Sequence, residues 1–215
     1  MGLSIAMKIN FPLLALAVGA FAIGTTEFSP MGFLPEIAND LSVSIPQAGL
    51  LISAYAVGVM IGAPLMTLWL ARFPKKTALI LLMAIFTIGN VLATVAPDYM
   101  SLMGARLITS LNHGAFFGLG SVVAASVVPK DKQASAVAMM FMGLTIANIG
   151  GVPLATWLSQ NTSWRMAFAA ISILGIMTML ALWKALPQDH DVVKPNVAEE
   201  LRVLTRAPVV LALLT

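Results

Sequence analysis

Six strongly apolar stretches of about 20 residues each dominate this 215-residue chain. A helix of about that length crosses the roughly 30 Å of a bilayer's hydrocarbon, so each stretch predicts one membrane span. Only 10% of the residues are charged, which excludes an ordinary soluble domain and predicts an all-α membrane protein. The predicted spans one to six cover about residues 11–31, 45–70, 77–95, 99–127, 135–158 and 164–186.

The basic residues between these spans predict the orientation of the chain. If six helices cross, nearly all lysines and arginines fall on one side, which the positive-inside rule assigns to the cytoplasm. The other side carries Glu36, Asp40 and Asp98, with Arg165 as its only basic residue at a membrane edge. Because the basic residues form short clusters between apolar stretches, they indicate topology and no nucleic-acid partner. The clusters are Lys8; Arg72, Lys75 and Lys76; Lys130 and Lys132; and Lys184, Lys194, Arg202 and Arg206.

The chain divides into four predicted segments. Residues 1–10 form a cytoplasmic N-terminus, residues 11–187 the six-helix bundle, and residues 188–207 a charged cytoplasmic linker. Residues 208–215 turn apolar again, but eight residues cannot span a bilayer. They predict the start of a seventh helix, truncated here, and therefore a longer protein with a second, C-terminal half.

Spans two and five share a short motif. Gly62-Ala63-Pro64-Leu65-Met66-Thr67 and Gly151-Val152-Pro153-Leu154-Ala155-Thr156 both read Gly-x-Pro-Leu-x-Thr, late in helices that run in opposite directions. Two inverted three-helix repeats would produce this pattern, and chance similarity between Gly-rich helices is the alternative. Small residues at these positions and at Gly143 permit close helix packing. Packing or hinge roles are predicted for Gly62, Pro64, Gly143, Gly151 and Pro153.

Glu27 and Arg106 are the acid and the base within the predicted spans. A charged side chain at the centre of a membrane helix costs about 2.5–3.5 kcal/mol, so both are candidates for function. At about 1.5 Å per residue, Glu27 lies roughly 10 Å below the outer end of span one and Arg106 roughly 12 Å into span four. These depths predict a Glu27–Arg106 pair, either structural or proton-linked. Glu27 as a simple helix cap at the headgroups stays an alternative.

A proton-linked pair has a physical rationale. Burial opposes ionisation of a carboxyl group and a nearby cation favours it, so their balance would make protonation of Glu27 depend on conformation. Other polar side chains within the spans either line a substrate cavity or bond to a neighbouring helix. The cavity candidates are Thr25, Thr26, Asn112, His113 and Asn148.

Enzymatic chemistry finds no support in the sequence. The chain has no cysteine and two histidines, and it lacks a Gly-Lys-Ser/Thr phosphate-binding motif and paired catalytic carboxylates. We therefore expect neither a cofactor nor a metal ion.

Several stretches together resemble the N-terminal half of a major facilitator superfamily transporter of the drug:proton antiporter type. The bacterial arabinose-efflux-like and chloramphenicol-efflux-like permeases are the most similar members. The resemblance extends from about residue 11 to the end of the chain. It is carried by Gly24-Thr25-Thr26-Glu27-Phe28, Gly62-Ala63-Pro64, Asn112-His113-Gly114-Ala115-Phe116-Phe117-Gly118, Ala147-Asn148-Ile149-Gly150-Gly151-Val152-Pro153-Leu154 and Trp164-Arg165-Met166-Ala167-Phe168.

The resemblance implies a twelve-span, alternating-access carrier in the bacterial inner membrane, of which six spans are present. Its partners would be a small organic solute, sugar or drug-like, together with protons, the lipid bilayer and the C-terminal half of the same protein. Proton-coupled efflux is implied, with Glu27 as the proton-responsive acid and Arg106 as its electrostatic partner. Arg72, Lys75 and Lys76 match the basic positions of the loop motif between spans two and three, whereas Ala71 and Pro74 replace its acid and its second glycine.

Three alternatives to proton-coupled efflux remain open. The protein could be a facilitator or importer, a six-helix unit that acts only as a homodimer, or a non-transporting scaffold.

Overall fold

The computed structural model describes residues 10–187 as a bundle of α-helices, with no strand within that range. The predictions for residues 1–9, for the linker and for the seventh helix lie outside the described residues. The helices are α1 (Phe11–Gly32), α2 (Leu34–Asp40), α3 (Ile45–Leu70), α4 (Lys75–Thr94), α5 (Tyr99–Ser110), α6 (His113–Ser126), α7 (Gln133–Ile146), α8 (Val152–Asn161) and α9 (Trp164–Ala185). Span one is α1, span two α3, span three α4, span four α5 with α6, span five α7 with α8, and span six α9.

Six helical segments in the described range are long and apolar enough to cross a membrane, where α5 with α6 and α7 with α8 each count as one segment. The predicted fold class, an all-α six-helix membrane bundle, is therefore confirmed. The start of span two shows why the bounds were predictable. Ser44 accepts a hydrogen bond from the backbone N–H of Gln47 at 3.3 Å, so it caps the helix that begins at Ile45.

Two of the predicted spans are interrupted near mid-membrane. In span four, α5 ends at Ser110 and α6 begins at His113, so a tight turn at residues 111–112 divides the span. In span five, the wider π-helical turn Ala147–Gly151 separates α7 from α8. Single π-helical turns of this kind occur frequently at functional sites. Pro153 follows this turn as the second residue of α8, whereas Pro64 lies inside the continuous helix α3.

The short helix α2 is fastened to the end of the bundle where α4 ends and α9 begins. The Asp40 carboxylate accepts hydrogen bonds from the Arg165 guanidinium and, at 3.0 Å, from the Trp164 indole N–H. Arg165 also donates to the carbonyl of Ala96 at 2.9 Å. The Arg165 hydrogen bond holds the pKa of the Asp40 carboxyl below its usual value. These contacts join α2 to spans three and six.

The opposite end of the bundle carries the predicted basic loop motif. Lys76 donates to the carbonyl of Leu186 at 2.7 Å, which connects the start of α4 to the end of α9. The Arg72 guanidinium lies 5.2 Å from the ring centroid of Trp69 and 5.4 Å from that of Phe73. Lys75 lines a cavity of about 290 Å³ together with Lys76.

Helix α1 lies at the centre of the bundle and packs against α7 and α9. The approach to α7 is closest at Gly143, where a Cβ atom would overlap the backbone carbonyl of Ala17. Gly62 lies in similar contact with Leu111, whose Cα would be 2.8 Å from an added Cβ. An added Cβ on Gly151 would meet the hydroxyl of Thr25. Gly143 thus lies at the contact between α1 and α7, and Gly62 at the contact between α3 and the turn of span four. Gly151 lies at the contact between α1 and the π-helical turn of span five.

Gly143→Ala is expected to destabilise the bundle, because the new methyl group meets backbone that cannot rotate away. Overpacking of this kind costs about 1–3 kcal/mol. The apparent melting temperature of the purified protein in detergent should fall by several degrees. Gly104→Ala is the matched control, since nothing lies within 4 Å of its added Cβ. Alanine there should be neutral or slightly stabilising, and equal melting temperatures for the two variants would contradict the close packing at Gly143.

Candidate functional site

A buried polar cluster joins spans one, three and four. The hydroxyl of Thr26 donates to the Asn90 side-chain oxygen at 2.7 Å, and Asn90 donates to the carbonyl of Phe86 at 2.9 Å. Arg106 donates from Nη1 to the carbonyl of Thr26 at 2.9 Å. Thr26 and Asn90 are fully buried, so these bonds replace the water that the polar groups would otherwise need.

The Arg106 guanidinium is 1% exposed and lies against aromatic faces. Its central carbon is 4.2 Å from the ring centroid of Tyr55 and 5.9 Å from that of Phe168. A desolvated cation over an aromatic face gains about 2 kcal/mol or more. Nε and Nη2 have no hydrogen-bond partner among residues 10–187, so the stacking holds much of the guanidinium in place.

Tyr55 connects this cluster to a histidine and to the acid of span one. The Tyr55 hydroxyl is 3.2 Å from Nδ1 of His113, and the same Nδ1 is 3.8 Å from Oε2 of Glu27. The Glu27 side chain is 27% exposed and that of His113 is 15% exposed. A connected series of side chains thus runs from Glu27 through His113 and Tyr55 to Arg106, and Glu27 is its most solvent-exposed member.

The direct Glu27–Arg106 contact predicted from the sequence is not formed. Arg106 reaches the backbone of Thr26, the residue next to Glu27, so both ionisable residues lie at the same level of the bundle. Within residues 10–187, however, no ion pair joins them, and Glu27 lies beside His113 instead. Successive residues of a helix are rotated by about 100°. Thr26 thus faces spans three and four, whereas Glu27 faces α6.

The other predicted cavity residues fall into two groups. Thr25 and Asn112 are buried inside the bundle, where Thr25 donates to the carbonyl of Phe21 at 2.7 Å and Asn112 donates to that of Thr109. Asn148 is exposed, lies in the π-helical turn and donates to the carbonyl of Leu144 at 3.0 Å. Among the predicted residues, Asn148 is thus exposed, Glu27 and His113 are partly buried, and Thr25, Thr26 and Asn112 are buried and bond within the half.

Tyr55 is a member of the site that the sequence analysis missed. It is one of two tyrosines in the chain and lies in the middle of an otherwise apolar span. A phenol hydroxyl within hydrocarbon needs a hydrogen-bond partner, so its position was a usable signal. Among residues 10–187, no group of three or more His, Cys, Asp or Glu side chains is placed to hold a metal ion.

Comparison with known proteins agrees with the helical arrangement. The sequence profile of the Major Facilitator Superfamily matches residues 16–215. The chain belongs to the major facilitator superfamily. The resemblance described from the sequence motifs is therefore confirmed at the level of the superfamily.

Curated relatives of this superfamily member are about twice its length. The Inner membrane transport protein YdhP of Escherichia coli (strain K12) is 68% identical over 209 residues, which are 97% of this chain and 54% of that protein. The Chloramphenicol resistance protein of Streptomyces lividans is 32% identical and aligns with 89% of this chain and 49% of that protein. The chain thus spans about half the length of the relatives it matches.

A solved structure shares the fold. The crystal structure of peptide transporter POT in complex with sulfate superimposes with a TM-score of 0.74 at 13% identity. The superposition covers 94% of this chain and 45% of that one. At this identity the likeness concerns the fold alone. The six helices thus share the fold of slightly less than half of that chain.

Proposed function

We propose that this chain is the N-terminal half of a secondary transporter that exports a small organic solute in exchange for protons. The observation that carries the proposal is Glu27, a partly exposed carboxyl group in the interior of a membrane span, held beside His113. An ionisable group at such a depth is costly unless its charge is used. Proton-coupled efflux gives it a use.

Exchange requires that solute and proton exclude one another at the site. An ionised Glu27 in an apolar cavity is unfavourable. Its charge is compensated either by binding a proton or by contact with a polar or cationic group of the solute. If one occupant neutralises the carboxylate, the other loses its electrostatic advantage. Alternating access would then let a proton replace the solute on the outer side and be released on the inner side.

The partner half is part of the proposal. Spans two and five are the least buried of the six. Within an apolar stretch of 18 residues in each span, 22% is buried in these two, against 39–56% in the others. These are also the two spans that share the Gly-x-Pro-Leu-x-Thr motif. Their exposed faces would pack against the C-terminal half and enclose the solute near mid-membrane.

The names of the relatives support the location and direction of transport. YdhP is named an inner membrane transport protein, and a second relative is named for chloramphenicol resistance. Resistance through a membrane carrier requires outward movement of the drug. We therefore place the protein in the bacterial inner membrane, with its N-terminus and linker in the cytoplasm, as the positive-inside rule indicates.

The test uses the complete protein in proteoliposomes with an imposed pH gradient. Chloramphenicol and a pentose sugar serve as the first labelled probes of a wider panel of small solutes. With an acidic lumen, an antiporter accumulates its solute inside as protons leave, and a proton ionophore abolishes the accumulation. Liposomes without protein provide the background.

Each alternative gives a different result in this assay. A facilitator equilibrates a probe without accumulation, and an importer coupled to protons accumulates it only with an alkaline lumen. Transport by residues 1–215 alone would identify an active homodimer. No flux of any solute in the panel would identify a scaffold.

A further inference from the structure

We propose that Glu27 and His113 form a single proton-exchanging unit, with Tyr55 competing with Glu27 for the same imidazole nitrogen. This inference rests on the proposed proton-coupled function and adds a second residue to its proton site. From the sequence alone, His113 is predicted as a cavity residue and nothing more. The structure gives it two polar neighbours, a carboxyl group on α1 and a phenol on α3.

Both polar neighbours lie near one atom of the imidazole. Nδ1 of His113 lies 3.2 Å from the Tyr55 hydroxyl and 3.8 Å from Oε2 of Glu27. An imidazole nitrogen either accepts one hydrogen bond through its lone pair or donates one through its hydrogen. At the observed distances Nδ1 can accept from the Tyr55 hydroxyl. It can donate to the Glu27 carboxylate instead once the two side chains approach to hydrogen-bond distance, about 3 Å, and these two uses exclude one another.

Two proton distributions follow from this competition. In the first, Glu27 holds the proton, His113 is neutral with its hydrogen on Nε2, and Nδ1 accepts from the Tyr55 hydroxyl. In the second, the proton has moved from Oε2 to Nδ1, leaving a carboxylate beside an imidazolium, and the Tyr55 hydroxyl has lost its acceptor. Loss of that proton to water leaves an ionised Glu27 with a neutral His113, so one proton is exchanged in total.

Arg106 biases this balance from the opposite side of Tyr55. Its guanidinium lies 4.2 Å from the Tyr55 ring centroid, where its positive charge favours donation by the phenol hydroxyl and opposes a second cation on His113. The negative charge of Glu27 has the reverse effect. Because the same positive charge also favours the ionised form of the Glu27 carboxyl, a movement of Arg106 would act on both members of the pair.

The surroundings contain no further titratable group among residues 10–187. Glu27 on α1, Tyr55 on α3, Arg106 on α5 and His113 on α6 are the ionisable groups that face the site, and α4 contributes the neutral Asn90. On the side of α7, the Phe117 ring lies 5.1 Å from both the His113 ring and the stacked ring of Phe141. These aromatic contacts hold the imidazole plane in position.

The test measures proton binding directly, without any solute. Infrared difference spectra of the purified complete protein are recorded across a pH series, following the carbonyl band of the protonated Glu27 carboxyl and the imidazole bands. Glu27→Gln identifies the carboxyl band. His113→Gln should move the midpoint of that band by about one pH unit or more, because a charge partner within 4–6 Å has effects of that size. Tyr55→Phe should move it in the opposite sense.

The chain supplies a matched control for each variant. Glu36→Gln, His190→Gln and Tyr99→Phe change the same residue types elsewhere and should leave the Glu27 band unchanged. In a coupled pair the imidazole signal also changes when the acid is removed. Glu27→Gln should therefore alter the titration of His113, whereas independent groups would not influence one another.

The failure of this inference is distinguishable from failure of the proposed function. A Glu27 band that titrates identically in wild type and His113→Gln overturns the shared site, even if transport is driven by protons. A Glu27 carboxyl that does not titrate across the series overturns it as well. Absence of gradient-driven transport in the wild-type protein overturns the proposed function instead. Variants are compared only when they elute as monodisperse protein. If His113→Gln does not elute in this way, the midpoint of the Glu27 band in Tyr55→Phe is the test of the shared site.

Discussion

Glu27→Gln is expected to abolish accumulation of solute driven by the pH gradient while sparing solute exchange. Glutamine resembles the protonated acid in shape and hydrogen bonding but cannot release a proton. For one proton exchanged per neutral solute, a gradient of about one pH unit supports about tenfold accumulation, or roughly 1.4 kcal/mol. The variant should bring this ratio to one, whereas exchange of labelled for unlabelled solute without a gradient should stay within a few-fold of wild type.

Glu36→Gln is the matched control for this experiment. Glu36 lies in α2, outside the spans, so its replacement should leave the accumulation ratio unchanged. A Glu27→Gln protein that still accumulates solute about tenfold would show that Glu27 does not carry the coupled proton. A purely structural role for Glu27, beside His113, would then be the better explanation of its position.

Hydropathy and helix geometry predicted the axial arrangement of this site well. Ser44 caps span two as its sequence pattern indicates. The rise per residue placed Glu27 and Arg106 at similar depths, and Arg106 indeed contacts the residue next to Glu27. These features depend on distance along a helix, which the sequence records directly.

Rotation about the helix axes could not be predicted in the same way. A difference of one residue turns a side chain by about 100°, so Thr26 faces Arg106 while Glu27 faces His113. The rotation of each helix is set by packing between helices, at contacts such as Gly143 against Ala17. No short-range sequence pattern reports such contacts.

The break in span four has a tertiary origin as well. Residues 111–112 contain neither proline nor glycine, so nothing in the local sequence predicts an interruption. In the fold, Leu111 packs against Gly62 and the side chain of Asn112 bonds to the carbonyl of Thr109. These contacts replace the regular helical ladder and set the position from which α6 presents His113.

Arg106→Lys is expected to impair the transporter more broadly than Glu27→Gln. Lysine keeps the charge but loses the planar group that stacks on Tyr55 and donates to the carbonyl of Thr26. A desolvated cation–π contact of about 2 kcal/mol corresponds to roughly a 30-fold effect. The rates of gradient-driven uptake and of solute exchange should therefore both fall at least tenfold, because Tyr55 and the backbone of α1 lose their common anchor.

Arg72→Lys tests whether replacing any stacked arginine by lysine impairs transport, or only the replacement at Arg106. Arg72 also lies over aromatic rings, those of Trp69 and Phe73, but it belongs to the loop after span two and not to the buried cluster. Its replacement should change both transport rates by less than twofold and leave the melting temperature unchanged. If Arg106→Lys behaves like Arg72→Lys, the planar stacking is dispensable, and a point charge at this depth suffices for the site. If exchange survives in Arg106→Lys while accumulation is lost, Arg106 acts on the proton alone, as Glu27 does, and is no anchor for the surrounding helices.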